Sequence, residues 1–193
     1  AKPRHMLQYA IMGSVYSKHV LGFRNPSCGL MSIGGEDAKG SDLTKEVFKL
    51  LRESGLNFRG NIEGHDLFEN PVEVVVTDGF TGNVVLKTAE ATAHAVFTWL
   101  KHELKRNPIR LGGAILAKGA FRAIRDKMNY EETGGSPLLG VNGVCIIAHG
   151  SSSALAVKNA IRVAAEAISH EINPHIIEEI QRCLLYTSDA ADE

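Results

Sequence analysis

Charge of one sign is missing from this chain. Its 193 residues carry 21 Lys and Arg against 22 Asp and Glu, a net charge of −1. That balance gives no global pull toward nucleic acid or an anionic membrane. Long hydrophobic runs are missing too. No stretch of about 18 apolar residues occurs, so no membrane-spanning helix is predicted. The first residues, AKPRHMLQYAIMG, hold no apolar segment long enough for a signal peptide. Cysteine is scarce. Cys28, Cys145 and Cys183 are widely separated and odd in number. They suit a reducing compartment and argue against a disulfide framework or a Cys-based metal site; Cys145 is expected in the core. His5, His19, His94, His102, His170 and His175 show no ligand spacing, read as surface residues, and predict no metal. Two nucleotide motifs are absent: GxxxxGKS/T, which excludes P-loop hydrolysis, and GxGxxG after a strand, which excludes dinucleotide binding.

What remains is a chain with 44% hydrophobic and 22% charged residues, the balance of a soluble globular domain with a real core. Its organising stretch is Val72 to Glu90. Val72, Val74, Val75 and Val76 read as a strand buried on both faces, as in a parallel sheet. Thr77-Asp78-Gly79 ends it, and a helix is expected from about Asn83. Ligands of open α/β sheets sit beyond the carboxyl ends of strands. Asp78, Asn83 and Lys87 therefore lie where chemistry is done, with Lys87 one turn from a helix N-terminus that favours anions. Against this stands the plainer reading that Asn83 only caps a helix and Lys87 only solvates it.

Leu7, Ala10, Ile11 and Val15 predict a helix over the first twenty residues. A strand follows at Cys28–Ile33. Ser41 or Asp42 caps a helix with Leu43, Val47, Leu50 and Leu51. Leu56–Phe58 is a brief strand, and Val141–Ala148 a further buried one. A helix follows with Ala156, Val157, Ala160 and Ile161, and Pro174 starts the last. Strands alternating with helices predict an α/β fold with a mainly parallel sheet. From Lys101 to Lys127, Lys105, Arg106, Arg110, Lys118, Arg122 and Arg125 flank Ile109, Leu111, Ile115, Leu116, Phe121 and Ile124. Gly112-Gly113 is expected to break this segment into two short helices or a hinged pair. LLYTSDAADE, residues 184–193, has no periodicity, resembles translated adaptor sequence, and is expected to lie outside the fold.

Four polar loops follow strand ends: 34–40, 60–66, 78–83 and 149–153. Each joins glycine with Asn or Ser and a charged residue, the makings of a phosphate cradle. His149-Gly150-Ser151-Ser152-Ser153 falls short of a nucleophile elbow, because Ala154 stands where GxSxG needs glycine. Its serines read better as helix caps offering hydroxyls to an anion. His149 is either a general acid or base or a satisfied strand-end histidine. Glu63 shares a loop with His65 and Asp66. A carboxylate among anion-seeking loops is expected to orient a Lys or Arg, or simply to be solvated.

The ordered stretches QYAIMGSVYSKHVLG (8–22), SIGGEDAKGSDLTKE (32–46), NFRGNIEGHD (57–66), VVVTDGFTGNVVLKTAE (74–90) and GGSPLLGVNGVCIIAHGSSSALAVKNAIRVA (134–164) resemble the bacterial phosphate acyltransferase (PlsX) family. The resemblance covers nearly all of 1–183. Gly35 and Asp37 stand in a loop that the family makes richer in Glu, and His65 stands where Arg is common. Family chains are longer at the N-terminus, so this one resembles a C-terminal portion. The resemblance implies a Rossmann-like three-layer α/β/α fold related to phosphotransacetylases, and a homodimer with no organic cofactor. It implies transfer of a fatty acyl group from acyl carrier protein to inorganic phosphate, in phospholipid synthesis. It also implies a cytoplasmic enzyme at the inner membrane surface, handing its product to a membrane glycerol-phosphate acyltransferase. For such chemistry, Asn61, Asn83, Lys87 and Ser151 are expected to bind phosphate or the oxyanion, with Lys39 a further candidate. Glu63, Gly82 and Ser152 are expected beside the substrate. His149 or Asp78 would move protons or orient these groups. Ile115, Leu116, Phe121 and Ile124 are expected to face the membrane, or else to pack in a dimer interface. A short-chain phosphotransacylase using coenzyme A, and an inactive anion- or membrane-binding fragment, are the alternatives.

Overall fold

Met6, Leu7, Ala10, Ile11 and Val15 all lie buried along helix α1 (Pro3–His19), which opens the chain. Pro3 suits its first turn, where the missing N–H costs nothing. The computed structural model describes residues 1–127, 135–148, 150 and 152–189.

Strand β1 (Cys28–Met31) is the centre of a three-stranded sheet, flanked by β2 (Phe58–Ile62) and β3 (Val74–Val76). Both pairings are parallel. Helix α2 (Asp42–Glu53) makes the crossover from β1 to β2. As expected, Ser41 caps it, its Oγ accepting from the Thr44 N–H at 3.2 Å. α1 packs beside α2 and over β3, α2 lies on β2, and α7 (Ile172–Asp189) covers α1. The core gathers Ile11, Leu30, Val47, Leu51, Val76, Ile176 and Cys183. Burial also pushes the Cys28 thiol up to about 12, so it is inert filling.

The valine run differs from expectation. Val74 and Val76 turn to the core, but Val75 between them is 36% exposed. Alternation sends it to the other face, and no helix of the described residues packs there as α1 does on the first. β3 is also an edge strand.

Helix α3 (Gly79–Lys105) follows, with no buried residue along its 27 positions. α4 (Pro108–Leu116) and α5 (Lys118–Lys127) are two short helices, as expected, but the break is elsewhere. Gly112 and Gly113 lie inside α4. A helical glycine costs only about 1 kcal/mol. The chain turns instead at Asn107, whose Oδ1 accepts from the Ile109 N–H at 2.8 Å ahead of Pro108, and again at Ala117.

The buried strand expected over Val141–Ala148 is not there. β4 (Ser136–Pro137) and β5 (Ile146–Ile147) form a separate antiparallel pair. Ile147 and Cys145 are exposed, so Cys145 is not core. Gly140 and Gly143, with φ of 82° and 142°, break the extended path that the apolar letters suggested. Helix α6 (Ala154–Ser169) follows, capped by Ser153. α7 begins at Ile172, ahead of Pro174, which falls in its first turn. Its backbone is helical to Asp189.

Candidate active site

The three parallel strands end at one edge. Leu30 is level with Asn61 on one side and Val76 on the other. The segments after β1, β2 and β3 therefore leave the sheet side by side, at the carboxyl edge where α/β proteins bind ligands.

The loop after β1 is fastened at both ends. Ser32 donates its N–H to the Ile62 carbonyl at 2.9 Å and its hydroxyl to the Lys39 carbonyl at 3.3 Å. Gly40 takes a φ of 105°, open to glycine. The Lys39 side chain is exposed and in no ion pair among the described residues.

Asn61 was expected in a loop and is instead in β2, 8% exposed. Its Nδ2 donates to the Glu36 carbonyl at 2.8 Å, which pins the amide and the loop together. Its Oδ1 is buried without a partner. That oxygen asks for an O–H or N–H donor, since leaving it bare costs about 1–3 kcal/mol. Glu63 is half-buried in the segment after β2, and its N–H donates to Asp66 Oδ2 at 2.8 Å.

The start of α3 corrects the expectation most. The helix begins at Gly79, not near Asn83, because Asp78 caps it. Asp78 Oδ1 accepts from the Phe80 and Thr81 N–H groups at 3.0 Å each, and Oδ2 accepts from Thr81 Oγ1 at 2.6 Å. The Gly82 N–H is taken by the Asp78 carbonyl. The helix N-terminus thus already holds an anion, the Asp78 carboxylate. The Thr81 hydroxyl, then the Thr81 and Phe80 N–H groups, hold its pKa below the usual carboxylate range. It stays ionised at neutral pH, with both oxygens engaged at the start of the helix. Gly82 gives room: a Cβ there would stand 2.9 Å from Thr77 Cγ2. Asn83 is exposed in the second turn, with no side-chain hydrogen bond among the described residues. Lys87 is eight residues into α3, about 12 Å along the axis, not one turn. Its Nζ pairs with Glu90 at 3.0 Å.

Lys39, Asn61, Glu63, Asp78, Gly82 and Asn83 thus belong to one sheet edge, and Lys87 lies farther out. His149 and Ser151 lie outside the described residues. Ser152 is half-buried just before the cap Ser153, after a strand of the separate hairpin. Two contributors went unread in the sequence: Thr81, which locks Asp78, and the Glu36 carbonyl, which holds Asn61. The first left a signal, an Asp three residues ahead of a Thr at a helix start. The second left none. Among the described residues, no group of three or more His, Cys, Asp or Glu side chains could hold a metal ion.

A family model described as "Fatty acid synthesis protein" matches residues 1–175. A protein of Akkermansia muciniphila named "Phosphate acyltransferase" is 54% identical over 188 residues, covering 94% of this chain and 54% of that protein. Proteins of the same name from Elusimicrobium minutum and Leptospira biflexa are 49% and 45% identical, covering 92% and 93% of this chain and 53% of each protein. The chain spans about half the length of the curated relatives it matches.

Proposed function

The chain belongs to the fatty acid synthesis protein family, and from that premise we propose that it acts as a phosphate acyltransferase, moving a fatty acyl group from acyl carrier protein to inorganic phosphate. The observation that carries this reading is the name shared by relatives up to 54% identical, "Phosphate acyltransferase". The polar carboxyl edge of the sheet supports it.

A phosphate oxygen attacks the thioester carbonyl carbon, and the carbonyl electrons move onto oxygen. The oxyanion collapses, the C–S bond breaks, and acyl phosphate forms. The proton of hydrogen phosphate ends on the departing thiolate, so no external acid is consumed. Phosphate is already a nucleophile. The protein's work is to strip it of water, aim it, and stabilise the oxyanion. Lys39 and Asn83 supply donors at the edge. The unpartnered Asn61 Oδ1 suits the P–OH of hydrogen phosphate. Asp78 holds the first turn of α3 in position. His149 is assigned the proton relay, with Ser151, Ser152, Glu63 and Gly82 beside the substrate, while Lys87 lies too far along α3 to join them.

The second part of the reading concerns α4 and α5. They expose Ile109, Ile115, Leu116 and Ile124, with Phe121 half-buried. We assign this arm to the surface of an anionic bilayer, as a homodimer's reversible docking element near a membrane acyltransferase that uses the product. Arg106 and Arg110 are drawn to Glu103 at 2.9 and 2.8 Å, leaving Lys118 and Arg122 as the freer cations. Each basic residue near anionic lipid contributes about 1 kcal/mol. Among the described residues no helix is long and apolar enough to cross a membrane.

The test supplies this chain with long-chain acyl carrier protein and inorganic phosphate and traps acyl phosphate with hydroxylamine. Phosphate-dependent product is expected. Lys39→Ala or Asn83→Ala should raise the phosphate needed by about tenfold or more, as for one lost charge-assisted contact. Product from short-chain acyl-coenzyme A alone would replace the donor, and no product from either would overturn the reading.

A further inference from the structure

At the opposite edge of the sheet, where β1 and β2 begin, lies a cavity of about 370 Å³ that the proposed chemistry does not use. Its walls are the last turns of α1, the Arg24–Pro26 segment, the Gly55–Asn57 turn and one face of α7. The length of β2, roughly 15 Å at about 3.3 Å per residue, separates it from the carboxyl edge. Its size lies within the range of small-molecule sites, roughly 300–1,000 Å³.

We propose that this cavity binds the phosphate group of a small phosphate monoester, held by Ser14, Lys18, Arg24 and the His19–His175 pair.

Ser14 is the most telling of these residues. It lines the cavity, is 9% exposed, and its Oγ is buried without a hydrogen-bond partner. A helical serine normally returns its hydroxyl to its own backbone. This one is left for a ligand. Lys18 is one turn further along the same face, and Arg24 enters from the following segment. Neither is in an ion pair among the described residues. His19 and His175 stack at 4.0 Å between centroids, 15° from parallel, so both rings border the cavity. On α7, Arg182 is engaged by Glu179, while Glu178 faces the same space. A carboxylate would repel free phosphate, yet it would accept from the hydroxyls of an ester. That asymmetry favours a phosphorylated polyol over inorganic phosphate.

The cations also explain how the site responds to pH. Burial, then His175, Lys18 and His170, lower the His19 pKa, while Glu179 opposes them. Arg24 and Arg182 add positive charge, and Glu178 negative. A bound phosphate offsets the repulsion among the cations, so binding draws a proton onto the His19 imidazole. Affinity therefore rises as pH falls through the imidazole range, about 6.5 when unperturbed.

The experiment titrates the chain with ribose 5-phosphate, ribose and inorganic phosphate, reading heat and the ring-proton resonances of His19 and His175. Ribose 5-phosphate should bind, move both resonances, and bind more tightly at pH 6 than at pH 8. Ribose should not bind. Lys18→Gln with Arg24→Gln should weaken ribose 5-phosphate at least about tenfold and leave acyl phosphate formation unchanged. Ser14→Ala should also weaken binding, while the melting temperature holds or rises because an unpaired buried hydroxyl is removed. Unmoved His19 and His175 resonances, or unchanged affinity in both variants, would overturn the site. Equal affinity for inorganic phosphate would overturn the ester.

Discussion

Helices α1 and α3 differ in burial far more than in sequence. Neither has a sharply one-sided apolar face. α1 carries Met6, Leu7, Ala10, Ile11, Met12 and Val15, and all are buried. α3 carries Phe80, Val84, Leu86, Val96 and Trp99, and all are exposed. Their surroundings separate them. α1 has β3, α2 and α7 as neighbours, whereas α4 is the main neighbour of α3 among the described elements. A helix apolar on several sides is built for contact on several sides. Sequence sets that appetite, and topology decides whether one chain satisfies it. α3 presents surface suited to more polypeptide or a partner than the described fold supplies.

The largest effect should come from breaking the satisfied helix. Ile11 is fully buried. Ile11→Ala should cost about 2–5 kcal/mol, the range for a large-to-small core change. Trp99→Ala, on the unsatisfied helix, should stay within about 0.5 kcal/mol, as an exposed position does. Urea unfolding of both variants checks this. A similar loss from Trp99→Ala would show that α3 is covered in solution, and the contrast between the two helices would collapse.

Next in size is the joint between the sheet and α3. Asp78→Ala removes a cap accepting from Thr81 and Phe80 and should cost about 1–2 kcal/mol. The pH dependence has a definite sign. The folded Asp78 carboxyl titrates below its ordinary value. Its contribution is complete above the unfolded pKa and is lost as pH falls through the folded one. Wild-type stability should therefore drop on acidification more steeply than that of Asp78→Ala. Parallel curves in urea at descending pH would remove Asp78 as the cap that titrates.

Much of the satisfied half was legible in the sequence, because its signals are local. The spacing of Leu7, Ala10, Ile11 and Val15 gave a helix, and Ser41 marked the start of α2. The joint was only partly legible. Gly79-Phe80-Thr81-Gly82 reads as a turn on glycine content, yet two N–H groups and one hydroxyl bound by Asp78 outweigh the glycine cost. That shift of the helix start carried Lys87 away from the edge. At Val141–Ala148 the apolar letters promised a strand, and the backbone at Gly140 and Gly143 refused it. The edge itself could be inferred from strand-end loops. Asn61 could not be placed there correctly, because its anchor is a backbone carbonyl that leaves no mark in the sequence.

A smaller effect, of opposite sign, is expected where α7 is set against α1. Glu171, between α6 and α7, has a φ of 48°, a left-handed conformation that costs a residue with a Cβ about 1–2 kcal/mol. Glu171→Gly relieves that strain but frees the unfolded chain, so a net gain of about 0.5–1 kcal/mol is expected. A loss on urea unfolding would mean that Glu171 makes a contact worth more than its backbone costs.

The smallest effect on stability should come from the most exposed apolar residue of the unsatisfied half, and it is the one that tells what covers that half. Leu116, at the end of α4, is 90% exposed. Leu116→Glu should shift the unfolding free energy by no more than about 0.5 kcal/mol. The same change puts a carboxylate among Ile109, Ile115 and the basic residues of the arm. If the arm docks on lipid, Leu116→Glu should release the protein from vesicles containing anionic lipid, by loss of apolar insertion and by charge repulsion together. Phe121→Glu should act alike on α5, with the oligomeric size unchanged. Co-sedimentation with anionic and neutral vesicles, run beside light scattering, separates the outcomes. Release from anionic vesicles at constant mass keeps the membrane reading. A fall in mass without any change in vesicle binding assigns the face to a second copy, and α3 to α5 then become an interface whose partner completes what α1 finds within its own chain.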